Sequence, residues 1–177
     1  MGRHRNPPET TFDRLFRQVQ GYQITTPYGL VTVSEDGRRI TFALWEDVRQ
    51  SIHHKALFSY YQQLIRRGVN IVNVDHLDLP NLDRRQPLTR GKARIDLLYQ
   101  SNGRLHEVEL KTHREIGLDV TARQLEELVK HCENLIVVVP RSDVEEMRTI
   151  LGLIGIEKQI TVDTYELSDE DELPNDY

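Results

Sequence analysis

The sequence has a single cysteine, Cys132, in 177 residues. That excludes an intrachain disulfide and leaves no partner for a cysteine-rich zinc site, so the thiol is expected in the core. No apolar run approaches the roughly 20 residues that span a bilayer. The opening MGRHRNPPET has no apolar segment of the kind a signal peptide requires, and a soluble, cytoplasmic protein is expected. There is no internal repeat, and the aromatic residues form no recognisable nucleic-acid motif. What remains, 38% hydrophobic and 29% charged residues, is sized for one compact domain with its own core.

The formal charge of -5 argues at first against a nucleic-acid partner. Asp169, Glu170, Asp171, Glu172 and Asp176 account for all of it, so residues 1–168 are neutral on the same count. Within that body Arg84, Arg85, Arg90, Lys92 and Arg94 crowd one loop, and Arg3, His4 and Arg5 lie on the N-terminal arm. They make a candidate basic surface, with solvated charges as the ordinary alternative.

Alternating β-formers and the turn Glu35-Asp36-Gly37-Arg38 predict strands over 22–26, 29–34 and 39–44, an N-terminal β appendage. From Trp45 to Arg67, apolar residues at spacings of three and four predict an amphipathic helix, capped by Gly68 and with a possible break near His53. A strand over 70–77 enters a Pro- and Arg-containing loop. Ala93–Gln100 and Arg104–Thr112 then flank Asn102-Gly103, the dipeptide suited to positive φ at both central turn positions. Leu118, Ala122, Leu125, Val129 and Cys132 mark a further helix, and Leu135–Val139 reads as a strand buried on both faces, in the middle of a sheet. Ser142 and Glu145 have capping-box spacing before another helix, and Ile160, Val162 and Thr164 alternate in a last strand. The expected division is arm and β appendage over 1–45, core over 46–167, and an acidic tail over 168–177.

A two-residue turn at Asn102-Gly103 makes opposed positions sum to 205. Asp96 is then expected to face Glu109, with Ile95 opposite Leu110 and Leu97 opposite Val108 on an apolar face. Asp96, Glu107, Glu109, Lys111 and Arg94 share the other face. Opposed carboxylates about 5 Å apart repel unless a cation compensates them, and Mg²⁺ or Mn²⁺ commonly takes one or two carboxylates while keeping sites for water and phosphate. Lys111 projects beside them. From these residues alone two readings stand level: a divalent-metal site, or an ion-pair cluster in which Arg94 and Lys111 neutralise the acids.

Asp96 on one hairpin strand and Glu109-Leu110-Lys111 on the next resemble the PD-(D/E)xK superfamily of restriction enzymes and archaeal Holliday-junction resolvases, with Ile95 where a proline usually precedes the acid. The likeness covers residues 46–166, by element order as well as motif. It implies an α/β fold with an αβββαβ core. It also implies a Mg²⁺- or Mn²⁺-dependent nuclease in which Asp96, Glu109 and the Leu110 carbonyl hold the metal and Lys111 assists the attacking water. Family members often add an acid from the first helix. Glu46 is the nearest candidate and His54 a substitute, although a helix N-terminal charge is the more ordinary reading of Glu46, beside Asp47, and a surface position the more ordinary one for His53 and His54. Gln124 is a candidate site-facing polar group or a merely solvated one, Glu107 a candidate for a second ion or equally for a surface pairing with Lys or Arg, and Asp75 and Asp78 are weaker candidates. DNA is the implied substrate, with Arg84, Arg85, Arg90, Lys92 and Arg94 on its phosphates and two copies of the chain paired. The competing reading is a catalytically silent nuclease fold used as a DNA-binding or assembly module.

Overall fold

A computed structural model describes residues 21–26, 29–75, 77, 88–117 and 119–167. Arg3, His4, Arg5, Asp78, Arg84, Arg85, Leu118 and the acidic tail lie outside the described residues. Strands β1 (Gly21–Thr26), β2 (Gly29–Ser34) and β3 (Ile40–Leu44) pair antiparallel in that order as a small sheet. Gly29 is required there, because a Cβ would collide with the Ala43 carbonyl on the neighbouring strand.

Strand β3 runs directly into α1 (Trp45–Arg66). The helix is continuous through His53, contrary to the possible break; between Trp45 and Arg66 no Gly or Pro interrupts it. Gly68, at φ 73°, follows its C-terminus as predicted. Val48, Ser51, Ala56, Leu57, Phe58, Tyr60 and Leu64 are its buried positions.

The central sheet contains β4 (Asn70–Val74), β7 (Leu97–Ser101), β8 (Arg104–Leu110), β9 (Leu135–Pro140) and β10 (Ile160–Tyr165), in the order β10-β9-β8-β7-β4. β8, β9 and β10 run parallel, whereas β7 is antiparallel to both its neighbours. A short ribbon of β5 (Thr89–Arg90) and β6 (Ala93–Arg94) precedes β7 and was not expected.

Helix α1 covers one face of the sheet, where Leu57, Tyr60 and Leu64 join Leu97, Tyr99, Val108, Leu110, Ile136 and Val138 in a core. On the other face α2 (Asp119–Val129) and α3 (Val144–Leu153) bring Leu125, Leu128, Met147 and Leu151 against Leu98, Leu135, Val137 and Val139. Strand β9 thus alternates between two cores and is interior, as its apolar run predicts. Each such aliphatic side chain contributes about 1.5–3 kcal/mol by leaving water. The result is a mixed α/β architecture with a five-stranded sheet, and no helix of the described residues is long and apolar enough to cross a membrane.

The turn has φ of 51° at Asn102 and 74° at Gly103, and Leu97↔Val108 through Ser101↔Arg104 reproduces the predicted register. The expected strand over 93–100 is nevertheless interrupted at Ile95 and Asp96. Ile95 donates its N–H to the Leu88 carbonyl, and the Asp96 carbonyl accepts from Asp75. Regular alternation is lost at this step, so Ile95 lies in the α2 and α3 core with Leu98 rather than on the Leu97 face. The predicted capping box at Ser142 is also absent. Ser142 falls inside a 3-10 turn over Arg141–Asp143 and donates to Asp143, while Glu145 holds Arg148. A capping box forms instead between Thr112 and Glu115, at the exit from β8.

Candidate functional site

Where β7 begins and β8 ends, the sheet interior carries charge. Asp96, Glu109 and Lys111 are all buried there. The interruption before β7 places the Asp96 side chain where a ladder carbonyl would stand: its Oδ2 accepts the Leu110 N–H at 2.7 Å. The other oxygen, Oδ1, lies 3.0 Å from Nε2 of His53.

Glu109 and Lys111 leave β8 on one side, toward α2. The Lys111 ammonium donates to Glu109 Oε1 at 2.7 Å and to Gln124 Oε1 at 2.8 Å. Gln124 closes the triangle by donating from Nε2 to the same Glu109 oxygen at 2.7 Å. Its position one turn from Thr121 and Leu128 sets it at the margin of the buried face of α2. Gln124 therefore orients both charged groups rather than standing in solvent. The second oxygen of Glu109, Oε2, is buried and has no hydrogen-bond partner.

His53 is the first-helix residue that reaches the cluster. It extends the buried stripe Leu57, Tyr60 and Leu64 by one turn, so packing of α1 on the sheet carries the imidazole to Asp96. Its other nitrogen, Nδ1, lies 3.6 Å from Glu115 Oε2. Glu46 is placed elsewhere: it is exposed in the first turn and holds Arg49 at 2.6 Å. Seven residues along a helix is about 10 Å, too far for it to share the position of His53. Asp47 is exposed and His54 half-buried.

Glu115 was not anticipated, although its spacing from Thr112 was the available signal. Its Oε2 accepts from the Thr112 N–H at 2.8 Å and hydroxyl at 2.7 Å. Burial opposes its charge, but His53, Lys111 and the Thr112 N–H prevail and hold the carboxyl at about 2. Burial likewise works against the imidazolium of His53; Asp96 and Glu115 override it and raise the group to about 10. Asp96 also overcomes burial and stays below the usual carboxylate range, through His53, Leu110 and Lys111. Glu109 goes the other way: burial first, then the charge of Asp96, push it up to about 8.

The bonded set therefore holds three carboxylates, Asp96, Glu109 and Glu115, against two cations, His53 and Lys111. Ionising Glu109 would leave one negative charge in excess, which is why this carboxyl alone of the three holds its proton more tightly than usual. Among the described residues no three His, Cys, Asp or Glu side chains converge closely enough to hold a metal ion by themselves. A hard divalent ion that retains several waters needs fewer. The orphaned Glu109 Oε2 and the adjacent Asp96 carboxylate fit such an ion, provided His53 yields Asp96 Oδ1 to it.

The other anticipated groups divide. Arg90 is drawn inward and donates to Glu107 at 2.8 Å, so its charge is spent on a buried carboxylate rather than offered to a phosphate. Glu107 also accepts from the N–H groups of Glu133 and Asn134 and is an anchor between β8 and β9, not a ligand awaiting a second ion. Lys92 and Arg94 are exposed on the β5–β6 ribbon, with the Arg94 carbonyl 3.4 Å from Gln124 Nε2. The backbone of Asp75 adjoins the site through its bond to the Asp96 carbonyl at 2.7 Å. Cys132 is half-buried beside the second core. No family model matches the chain, and no curated protein does.

Proposed function

We propose that the chain is a divalent-metal-dependent nuclease acting on DNA, of the PD-(D/E)xK kind, with Asp96, Glu109, Lys111 and Gln124 as its working groups. The observation that carries this reading is a buried cluster with one carboxyl group more than it has cations, whose Glu109 Oε2 has no hydrogen-bond partner. A divalent cation answers both features at once.

Asp96 and Glu109 would hold the ion, with the Leu110 carbonyl as a third contribution. When bound, Mg²⁺ or Mn²⁺ lowers the pKa of a coordinated water and polarises a phosphate oxygen. The chain's own groups do the rest. Lys111, fixed by Glu109 and Gln124, sets an ammonium where it orients the attacking water and offsets charge that develops on phosphorus-bound oxygens. Gln124 keeps Lys111 and Glu109 from collapsing into a purely mutual pair. Lys92 and Arg94, exposed nearby, meet flanking phosphates. Pairing of two copies to cut two strands belongs to the same proposal.

The test is cleavage of supercoiled plasmid, a four-way junction and single-stranded DNA with Mg²⁺, Mn²⁺ or EDTA. Metal-dependent cutting is expected, reduced at least about 100-fold in Lys111→Ala. DNA that is bound yet left intact with every metal would replace this reading with the silent module.

A further inference from the structure

The parallel strands β8 and β9 end side by side, and each is followed by a short 3-10 turn, His113–Glu115 after β8 and Arg141–Asp143 after β9. A side-chain bond joins the two turns: His113 donates its Nδ1–H to Asp143 Oδ2 at 2.8 Å. Asp143 is buried, and its other oxygen accepts the Ser142 hydroxyl at 2.8 Å. The imidazole is open, with 64% of the side chain exposed. This arrangement forgoes another. Asp143 stands at the N-cap of α3, where its carboxylate could accept a backbone N–H and stabilise the helix by about 1 kcal/mol, yet no side-chain cap bond forms. The carboxylate is turned to the imidazole instead. With Nδ1–H engaged, Nε2 on the far side of the ring is the atom that faces a substrate, and the one at which a proton is gained or lost.

The same turn is tied to the charge cluster. Glu115 closes it by capping Thr112 and lies 3.6 Å from His53 Nδ1, while His53 Nε2 meets Asp96. Thr112 is extended, at φ -81° and ψ 162°, so the backbone of His113 stands about 7 Å beyond that of Lys111. Both residues therefore lie at the carboxyl ends of the parallel strands, where open α/β sheets bind ligands. In-line displacement at phosphorus puts the attacking and departing oxygens on opposite sides. Asp96 and Glu109 hold the ion, and Lys111 and Gln124 serve the attacking side, which leaves the departing oxygen without a proton donor.

On the nuclease reading, which this step presupposes, we propose that His113 is the general acid of the reaction and that Asp143 is its positioning residue, itself fixed by Ser142. The imidazolium gives up its Nε2 proton as the bond between phosphorus and the departing oxygen breaks. That oxygen keeps the bonding electron pair and takes the proton, while the water oxygen bonds to phosphorus and releases its own proton to solvent. Asp143 holds the neutral ring through Nδ1–H, and solvent returns a proton to Nε2 before the next turnover.

A synthetic DNA duplex decides it, with sulfur in place of the departing bridging oxygen at a linkage that the native chain cuts. A thiol ionises near pH 8.5, about where water tolerates the thiolate, so sulfur departs without an acid. His113→Gln, at an exposed position, should cut the ordinary duplex at least about 100-fold more slowly than the native chain and the sulfur duplex within about threefold of it. Asp143→Asn should lose about tenfold on the ordinary duplex and recover on sulfur, whereas Lys111→Ala should stay slow on both. Affinity of His113→Gln for the ordinary duplex in EDTA, read by fluorescence anisotropy, should stay within about twofold of the native value. An equal loss on oxygen and sulfur, a loss of affinity as large as the loss of cutting, or no loss at all would overturn the assignment of His113 while leaving the nuclease reading in place. A native chain that cuts neither duplex with Mg²⁺ or Mn²⁺ ends the nuclease reading itself, and the general acid with it.

Discussion

The Asp96 carboxylate takes the place of a main-chain acceptor, with its Oδ2 2.7 Å from the Leu110 N–H. One side chain thus terminates the β7–β8 ladder and supplies an acid to the site. Holding it so close to the strand restricts its rotamers, and His53 on the remaining oxygen restricts them further. One carboxylate thus joins the strand ladder through Oδ2 and the charge cluster through Oδ1.

Substitutions at Asp96 should separate these two contributions. Both variants take the anion from beside His53, but Asp96→Asn keeps an oxygen for Leu110, whereas Asp96→Ala also strands that buried N–H and should cost about 1–2 kcal/mol more. Both should abolish Mn²⁺ binding measured by calorimetry. Urea denaturation in EDTA gives the stability difference, and equal losses in the two variants would refute the backbone role.

Acid sensitivity should come in part from Glu115. Its carboxyl lies at about 2 in the folded chain against an ordinary value of 4.5. The folded state therefore binds fewer protons than the unfolded one between these limits. The stabilisation is present in full above pH 4.5 and disappears as pH falls toward 2. The expected size is on the order of 2–3 kcal/mol. Urea midpoints in EDTA at pH 7, 4.5 and 3 should converge between the native chain and Glu115→Gln as the pH drops; parallel curves would show that the carboxylate contributes nothing.

Cys132 should be slow to react. Burial, followed by the neighbouring charge of Glu107, pushes its thiol up to about 12. Little thiolate then exists at pH 8, and the group is half-buried besides. Labelling by Ellman's reagent at that pH is expected to be at least about 100-fold slower in the folded chain than in urea. A rate matching that of the unfolded chain would mean that the thiol is open to solvent.

Local signals carried much of the fold. Asn102-Gly103 tolerates positive φ at two consecutive positions, and that was enough to specify the turn and the register from Leu97↔Val108 to Ser101↔Arg104. The run Leu135–Val139 announced a strand between two cores because every one of its side chains is apolar. Gln124 was recognisable only as a polar residue at a suggestive place on its helix. Its bonds to Lys111 and Glu109 depend on how closely α2 lies against β8.

Other features could be settled only by packing. His53 and Glu46 share a helix, and both are polar. The sheet beneath α1 selects His53, because it continues the Leu57 and Tyr60 stripe, and leaves Glu46 to Arg49 at the exposed end. Arg90 belonged to a basic cluster in sequence, yet the buried Glu107 claims it. The break at Ile95 and Asp96 likewise follows from partners on Leu88 and Asp75, distant in the chain. The sequence by itself determined the three helices of the core, the run of β9 and the hairpin register from Leu97 to Arg104, since each depends on neighbours a few residues away. Which cation stands beside which carboxylate, and which oxygen is left without one, was decided by tertiary structure, because burial sets the cost of every unpaired charge.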